Sequence, residues 1–140
     1  MRGFLLDTVV VSEPMRKAPD RQVIAWLSAA DERTLHLSVI TLGEIRKGID
    51  LLPDRPRRDH LERWLGDLRE RFGERVLPID EAVANRWGQL CATTAAQPLP
   101  SIDAQIAATA LYHGLTLVTR NVADVGRSGV PVLNPWTQDR

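Results

Sequence analysis

Four short apolar runs, separated by stretches with helical periodicity, set the tightest limit on what this chain can fold into. Phe4-Leu5-Leu6 reads as a short buried strand. Leu35-His36-Leu37-Ser38, Arg75-Val76-Leu77-Pro78-Ile79 and Leu115 to Val118 read as three more, and Pro131-Val132-Leu133 as a short fifth. Between them the apolar positions recur every three or four residues. Val23, Ile24 and Leu27 share one face of a helix over 20–30, which Asp20 can cap. Thr41-Leu42-Gly43-Glu44 has capping-box spacing, and Leu42, Ile45 and Ile49 continue a helical face from it. Pro53 and Pro56 break the chain before a helix over 57–72, whose stripe is Leu61, Trp64, Leu65, Leu68 and Phe72. Asp80 caps the next helix, with Val83, Trp87, Leu90 and Thr94 on its face, and Ala95 to Pro100 is a loop. Ser101 starts a helix with Ile102, Ile106 and Ala110 in line, ended by Gly114 as a left-handed C-cap. Val9 to Val11 either begins a helix or continues the first strand. Strands alternating with helices make an α/β fold, a parallel sheet of four to five strands covered by helices.

The length of 140 residues is that of one domain, residues 1–140, large enough to bury a core without disulfides. The single Cys91 cannot form an intrachain disulfide, which points to a reducing compartment. The opening Met-Arg-Gly-Phe-Leu-Leu starts like a signal peptide, but Asp7 cuts the apolar run short. No window approaches the roughly 18 apolar residues of a spanning helix, so the expected location is the cytoplasm, with no membrane partner. Lys+Arg and Asp+Glu both total 18, which excludes a strongly basic nucleic-acid glue but leaves room for a local basic patch. His36, His60 and His113 are scattered, with no metal-ligand spacing. Cys91 lies beside the apolar face of the helix at 82–96 and reads as a packed thiol. No Gly-x-Ser-x-Gly elbow and no Gly-rich phosphate loop is present, against an α/β-hydrolase and an NTPase.

Sites in such sheets lie at the carboxyl ends of the strands. Asp7 follows the first strand directly, Glu44 falls in the first turn after the second, and Asn121 and Asp124 lie in the loop after the fourth. Asp103 lies in the first turn of the helix leading into the fourth strand. Each acid alone is also an ordinary turn or helix-start residue. Together they suit a divalent cation: Mg²⁺ and Mn²⁺ prefer hard oxygen ligands. Two carboxylates ~5 Å apart repel by about 3 kcal/mol at an effective dielectric near 20, so three clustered acids call for positive charge.

At these residues the chain resembles the PIN-domain nucleases, and within them the VapC-type toxins of type II toxin–antitoxin systems, FitB-like branch. Four segments carry the likeness: Leu5-Leu6-Asp7-Thr8 through Ser12-Glu13; Ser38-Val39-Ile40-Thr41-Leu42-Gly43-Glu44-Ile45 with Gly48; Ile102 to Ala110 around Asp103; and Leu117-Val118-Thr119-Arg120-Asn121 through Asp124. The resemblance implies an α/β/α sandwich and Mg²⁺-dependent cleavage of RNA, with Mn²⁺ as a substitute. It implies a homodimer bound by a cognate VapB-like antitoxin, and operator DNA reached only through that antitoxin. It makes Asp7, Glu44 and Asp103 the metal-binding acids, with Asn121 or Asp124 completing the catalytic set and Thr8 and Thr119 orienting the acids or a water.

Three positions depart from the family pattern. Val9 stands where a polar residue is usual, Val125 where an aromatic is common, and Asn121 where many relatives carry a fourth acid. Val9 and Asn121 keep an alternative open: a catalytically weak PIN-like module acting with an antitoxin as a DNA-binding autorepressor. A phospho-acceptor receiver domain fits less well, since lysine occurs only at 17 and 47. The charged stretch from Glu44 to Arg75 is nearly balanced and reads as solvated helix faces, with Arg46, Lys47, Arg55, Arg57 and Arg58 as candidate RNA-phosphate contacts. Trp26 and Trp64 read as core residues, with an antitoxin-binding groove as the sharper alternative.

Overall fold

The computed structural model describes residues 3–137; Met1, Arg2 and residues 138–140, which belong to the 1–140 reading, lie outside the described residues. Five strands form one parallel sheet: β1 Phe4–Leu6, β2 Leu35–Ser38, β3 Val76–Leu77, β4 Thr116–Val118 and β5 Val132–Leu133, in the order β3-β2-β1-β4-β5. The connections carry seven α-helices: α1 Thr8–Ser12, α2 Arg21–Ala29, α3 Val39–Asp50, α4 Arg55–Phe72, α5 Glu81–Thr93, α6 Ser101–His113 and α7 Val122–Val125. This is the helix-covered parallel sheet expected from the alternating runs, and the α/β/α sandwich that the resemblance implies.

Side-chain alternation along the strands divides the core in two. Leu5 and Leu117 point into a cluster with Val83, Leu90, Ile106 and the buried alanines of α6. Leu6 and Val118 point the other way, into a cluster with Val10, Val23, Ile45, Leu65 and Phe72. Helices cover both faces, which is why β1 is apolar throughout. Helix α6 buries Ala104, Ile106, Ala107, Ala108, Thr109 and Ala110, and its small residues let it lie close against its neighbours. Gly114 ends it at φ +67°, as expected of a left-handed cap.

Several boundaries differ from the sequence reading. Val9 to Val11, left open between helix and strand, are helical, because Asp7 caps α1 directly after the strand. Pro56 falls within the first turn of α4 rather than breaking the chain before it, a place where proline's missing N–H costs nothing. Asp124 lies in α7, not in a loop. Cys91 is exposed, not packed: α5 ends at Thr93 and turns Val83 and Leu90 to the core.

Gly3 is the tightest glycine. A Cβ there would lie 2.8 Å from Leu115 Cδ2 and 3.0 Å from both His36 Cε1 and the Thr34 carbonyl oxygen. The adjoining ladder cannot easily move, since the Thr116 N–H donates to the Gly3 carbonyl at 3.1 Å. Gly3→Ala is expected to cost about 1–3 kcal/mol in urea unfolding, with an unchanged denaturant slope. A neutral result would mean that this end of β1 is loosely held.

Candidate active site

The strand order reverses between β1 and β4, and ligands bind in the crevice outside the strand ends at such a point. Asp7 stands there. Its N–H donates to the Val118 carbonyl at 3.0 Å, joining it to β4. Its Oδ1 accepts from the Val10 N–H at 2.9 Å, which starts α1. Its Oδ2 accepts from the Thr119 hydroxyl at 2.5 Å. Thr119 Oγ1 accepts in turn from the Asn121 N–H at 3.0 Å. The first acid is therefore fixed by two strands and a helix.

Glu44 is reached differently from the capping-box reading. Ser38 is the cap of α3: its backbone is extended and its hydroxyl accepts from the Ile40 N–H at 3.1 Å. Thr41 is already helical and fully buried, and Glu44 is the sixth residue of α3, in the second turn rather than the first. The Thr8 hydroxyl donates to Glu44 Oε1 and lies 3.2 Å from the Thr41 hydroxyl. Thr41 is thus a supporting residue that its cap-like spacing concealed. The usable signal was Ser38, a hydroxyl at the junction of strand and helix.

Asp103 occupies the first turn of α6, as expected. Its Oδ2 accepts from the Asn121 side-chain amide at 3.0 Å. Asp124 places its carboxylate 3.5 Å from Arg127. Val9 is half-exposed on α1, while Val125 is the buried residue of α7.

The electrostatics show that the three acids share a region. Burial is the main cause raising the Asp7 carboxyl above its ordinary value; hydrogen bonds from Thr119 and Val10 oppose it, and the charges of Asp103 and Glu44 add to it. Asp103 is also raised, first by burial, with Asn121 opposing and Asp124 and Glu44 adding. Among the described residues no Lys, Arg or His pairs with any of the three. Nor are any three acidic, His or Cys residues already drawn to metal-ligand spacing among the described residues. The donor set still fits a hard cation: Mg²⁺ takes one or two carboxylates and keeps waters for the rest.

The basic candidates are largely engaged elsewhere. Arg46 forms a double hydrogen bond with Glu62 and reaches Asp50 at 3.0 Å, and Arg58 lies 3.9 Å from Asp50. Arg57 donates to the Met15 carbonyl at 2.7 Å, while Lys47 and Arg55 are exposed. Trp26 packs edge-on against Phe4 at 5.2 Å. Trp64 lines a cleft of about 340 Å³ that begins at Thr8 and Glu44 and is walled by Met15, Ile45, Ile49 and Leu61.

Comparison with known proteins follows this geometry. The family model described as the PIN domain matches residues 4–123. Toxin FitB of Neisseria gonorrhoeae is 39% identical over 136 residues, covering 95% of this chain and 98% of its own. The VapC ribonuclease Y4jK of Sinorhizobium fredii is 36% identical, covering 95% of this chain and 97% of its own. The crystal structure of FitAcB from Neisseria gonorrhoeae superposes with a TM-score of 0.92 at 36% identity, covering 96% of this chain and 99% of that one.

Proposed function

Because the chain belongs to the PIN-domain family, we propose that it is the toxin of a type II toxin–antitoxin module, a ribonuclease that hydrolyses RNA phosphodiester bonds with Mg²⁺, or Mn²⁺ in its place. The observation that supports this reading is Asp7 at the switch point, close enough to Glu44 and Asp103 to feel their charge, with no Lys, Arg or His paired to any of the three among the described residues. Those three carboxylates would hold the cation. When bound, it supplies positive charge against the scissile phosphate and makes a water easier to deprotonate. The protein's own part is positioning. Thr119 directs Asp7 Oδ2, Thr8 holds Glu44, and the Asn121 amide turns Asp103. Asn121 brings no charge and acts through Asp103, while Asp124 adds negative potential from α7.

The cognate antitoxin is the expected protein partner, and operator DNA is reached through it. The apolar cleft beside Glu44, with Trp64 in its wall, suits an antitoxin segment. No described helix is long and apolar enough to cross a membrane. A homodimer in the cytoplasm is the working form.

Titration calorimetry with Mn²⁺ tests the metal reading. The unaltered, antitoxin-free chain is expected to bind Mn²⁺, and Asp103→Asn to bind at least about tenfold more weakly, since one carboxylate of the set is lost. Folded protein that takes up no Mn²⁺ would overturn the metal mechanism and favour the weakly active autorepressor module.

A further inference from the structure

We propose that Arg120 is a substrate-phosphate contact of this nuclease, held in place by the ring of Trp136; the assignment rests on the ribonuclease reading above. Arg120 lies between Thr119, which holds Asp7, and Asn121, which holds Asp103, so its backbone is pinned at the rim of the acid crevice from both sides. Its side chain is exposed, with the guanidinium carbon 4.8 Å from the centroid of the Trp136 ring. Trp136 is itself anchored. It is buried in the core cluster that contains Leu6 and Val118, and its backbone N–H donates to Asn134 Oδ1 at 2.9 Å. The β4–β5 pairing brings the two together: Val118 sits opposite Leu133, and the Thr119 N–H donates to the Leu133 carbonyl at 3.0 Å.

A guanidinium stacked on an aromatic ring uses its face and leaves its N–H edge free. Arg75, which also lies over a ring, has that edge engaged on the Glu32 and Leu35 carbonyls, and Arg46 and Arg71 have theirs on Glu62 and Glu32. Among the described residues Arg120 has no carboxylate or carbonyl partner. It is a fixed cation with an unfilled two-pronged donor edge, and a phosphate presents two oxygens to such a fork. The acids repel the backbone of an incoming RNA, and a preoriented cation at the rim offsets that repulsion while losing little side-chain freedom.

Binding is separated from cutting by working in the full-length Asp103→Asn chain and measuring anisotropy of a fluorescein-labelled single-stranded RNA across a range of salt. Adding Arg120→Ala should raise Kd about tenfold and reduce the slope of log K against log salt by about 0.7, the value of one phosphate contact on a single strand. Arg120→Lys should keep the slope and lose about threefold in affinity, because the charge remains and the fork does not. Trp136→Leu should weaken binding about threefold when Arg120 is present and have no effect in the Arg120→Ala background. If Trp136→Leu melts early, the Ala–Lys pair at the exposed Arg120 decides alone. Unchanged Kd and slope in Arg120→Ala would overturn the assignment. So would a loss confined to antitoxin binding, which would make Arg120 a partner contact. RNA binding that depends on Arg120, in a protein whose unaltered form never cuts RNA, would overturn the nuclease reading and leave the phosphate contact standing.

Discussion

Replacing Asp7 with asparagine is expected to lower RNA cleavage about a thousandfold or more and, at neutral pH, to raise the melting temperature of the metal-free protein by about 2–5 °C. The two effects have one origin. The Asp7 carboxyl is raised above its ordinary 3.8, first by burial and further by the Asp103 and Glu44 charges, against the hydrogen bonds of Thr119 and Val10. The folded state therefore holds a proton more tightly than the unfolded chain. Stability from that proton is fully present below about pH 3.8 and is lost as pH rises through the folded value. At neutral pH the charged carboxylate is a net cost to folding. Asparagine stays neutral at every pH. It can keep the Oδ1 bond from Val10, and the Thr119 hydroxyl can turn to accept from the new amide.

The stability gap between variant and parent should thus open as pH rises above about 3.8 and close below it. Mn²⁺ should raise the melting temperature of the parent and leave the variant unmoved, since only a state that binds the ion gains from it. Thermal melts from pH 3 to 8, with and without Mn²⁺, read all of this. A variant less stable than its parent at neutral pH would show that Asp7 contributes to folding through its bonds more than it costs through its charge. Retained cleavage would remove Asp7 from the mechanism. Stability set against activity at a charged site is a general expectation for enzymes, and here it rests on one side chain.

The parts of this molecule that a linear reading reaches are those set by local rules. β1 and β4 are visible because a strand covered on both faces must be apolar throughout. The caps at Asp20, Asp80 and Gly114 follow from backbone needs a few residues away, and all three are present. The misread cap shows the limit. Thr41 and Glu44 have capping-box spacing, but Ser38 reaches the free N–H groups first, and the helix starts three residues earlier than that spacing implies. Which acids lie at strand ends was legible from their positions after apolar runs. What holds them was not. Thr119 and Asp7 are 112 residues apart, and Thr8 and Glu44 are 36 apart. Both contacts follow from strand order, and no local rule specifies β1 between β2 and β4. The same is true of Arg75, whose guanidinium ties α4 to the carbonyls of Glu32 and Leu35 while lying 4.8 Å over the Phe72 ring.

Glu13→Ala is expected to destabilise the protein by about 2–4 kcal/mol, the largest loss from any single acid described here, and to reduce cleavage although Glu13 touches none of Asp7, Glu44 and Asp103. Glu13 is 1% exposed, in a short 3-10 turn after α1. Its Oε2 accepts from the Asp20 N–H at 2.8 Å, and its Oε1 takes the Arg16 guanidinium at 3.4 Å. The carboxylate therefore bridges the end of α1, which begins at Asp7 and Thr8, and the cap of α2. Alanine would leave a cavity and an Asp20 N–H without its acceptor. Glutamine keeps one oxygen for that N–H and should cost about half as much, which separates the hydrogen bond from the charge. Urea unfolding of the two variants measures this. A loss under about 1 kcal/mol for Glu13→Ala would mean that water replaces the bond and that α1 is seated by its valines alone. The contrast with Asp7 is the physical point. Both are acids withdrawn from solvent in one short stretch of chain. The one whose oxygens meet a backbone donor and an arginine stabilises the fold, and the one without a cation is available for chemistry.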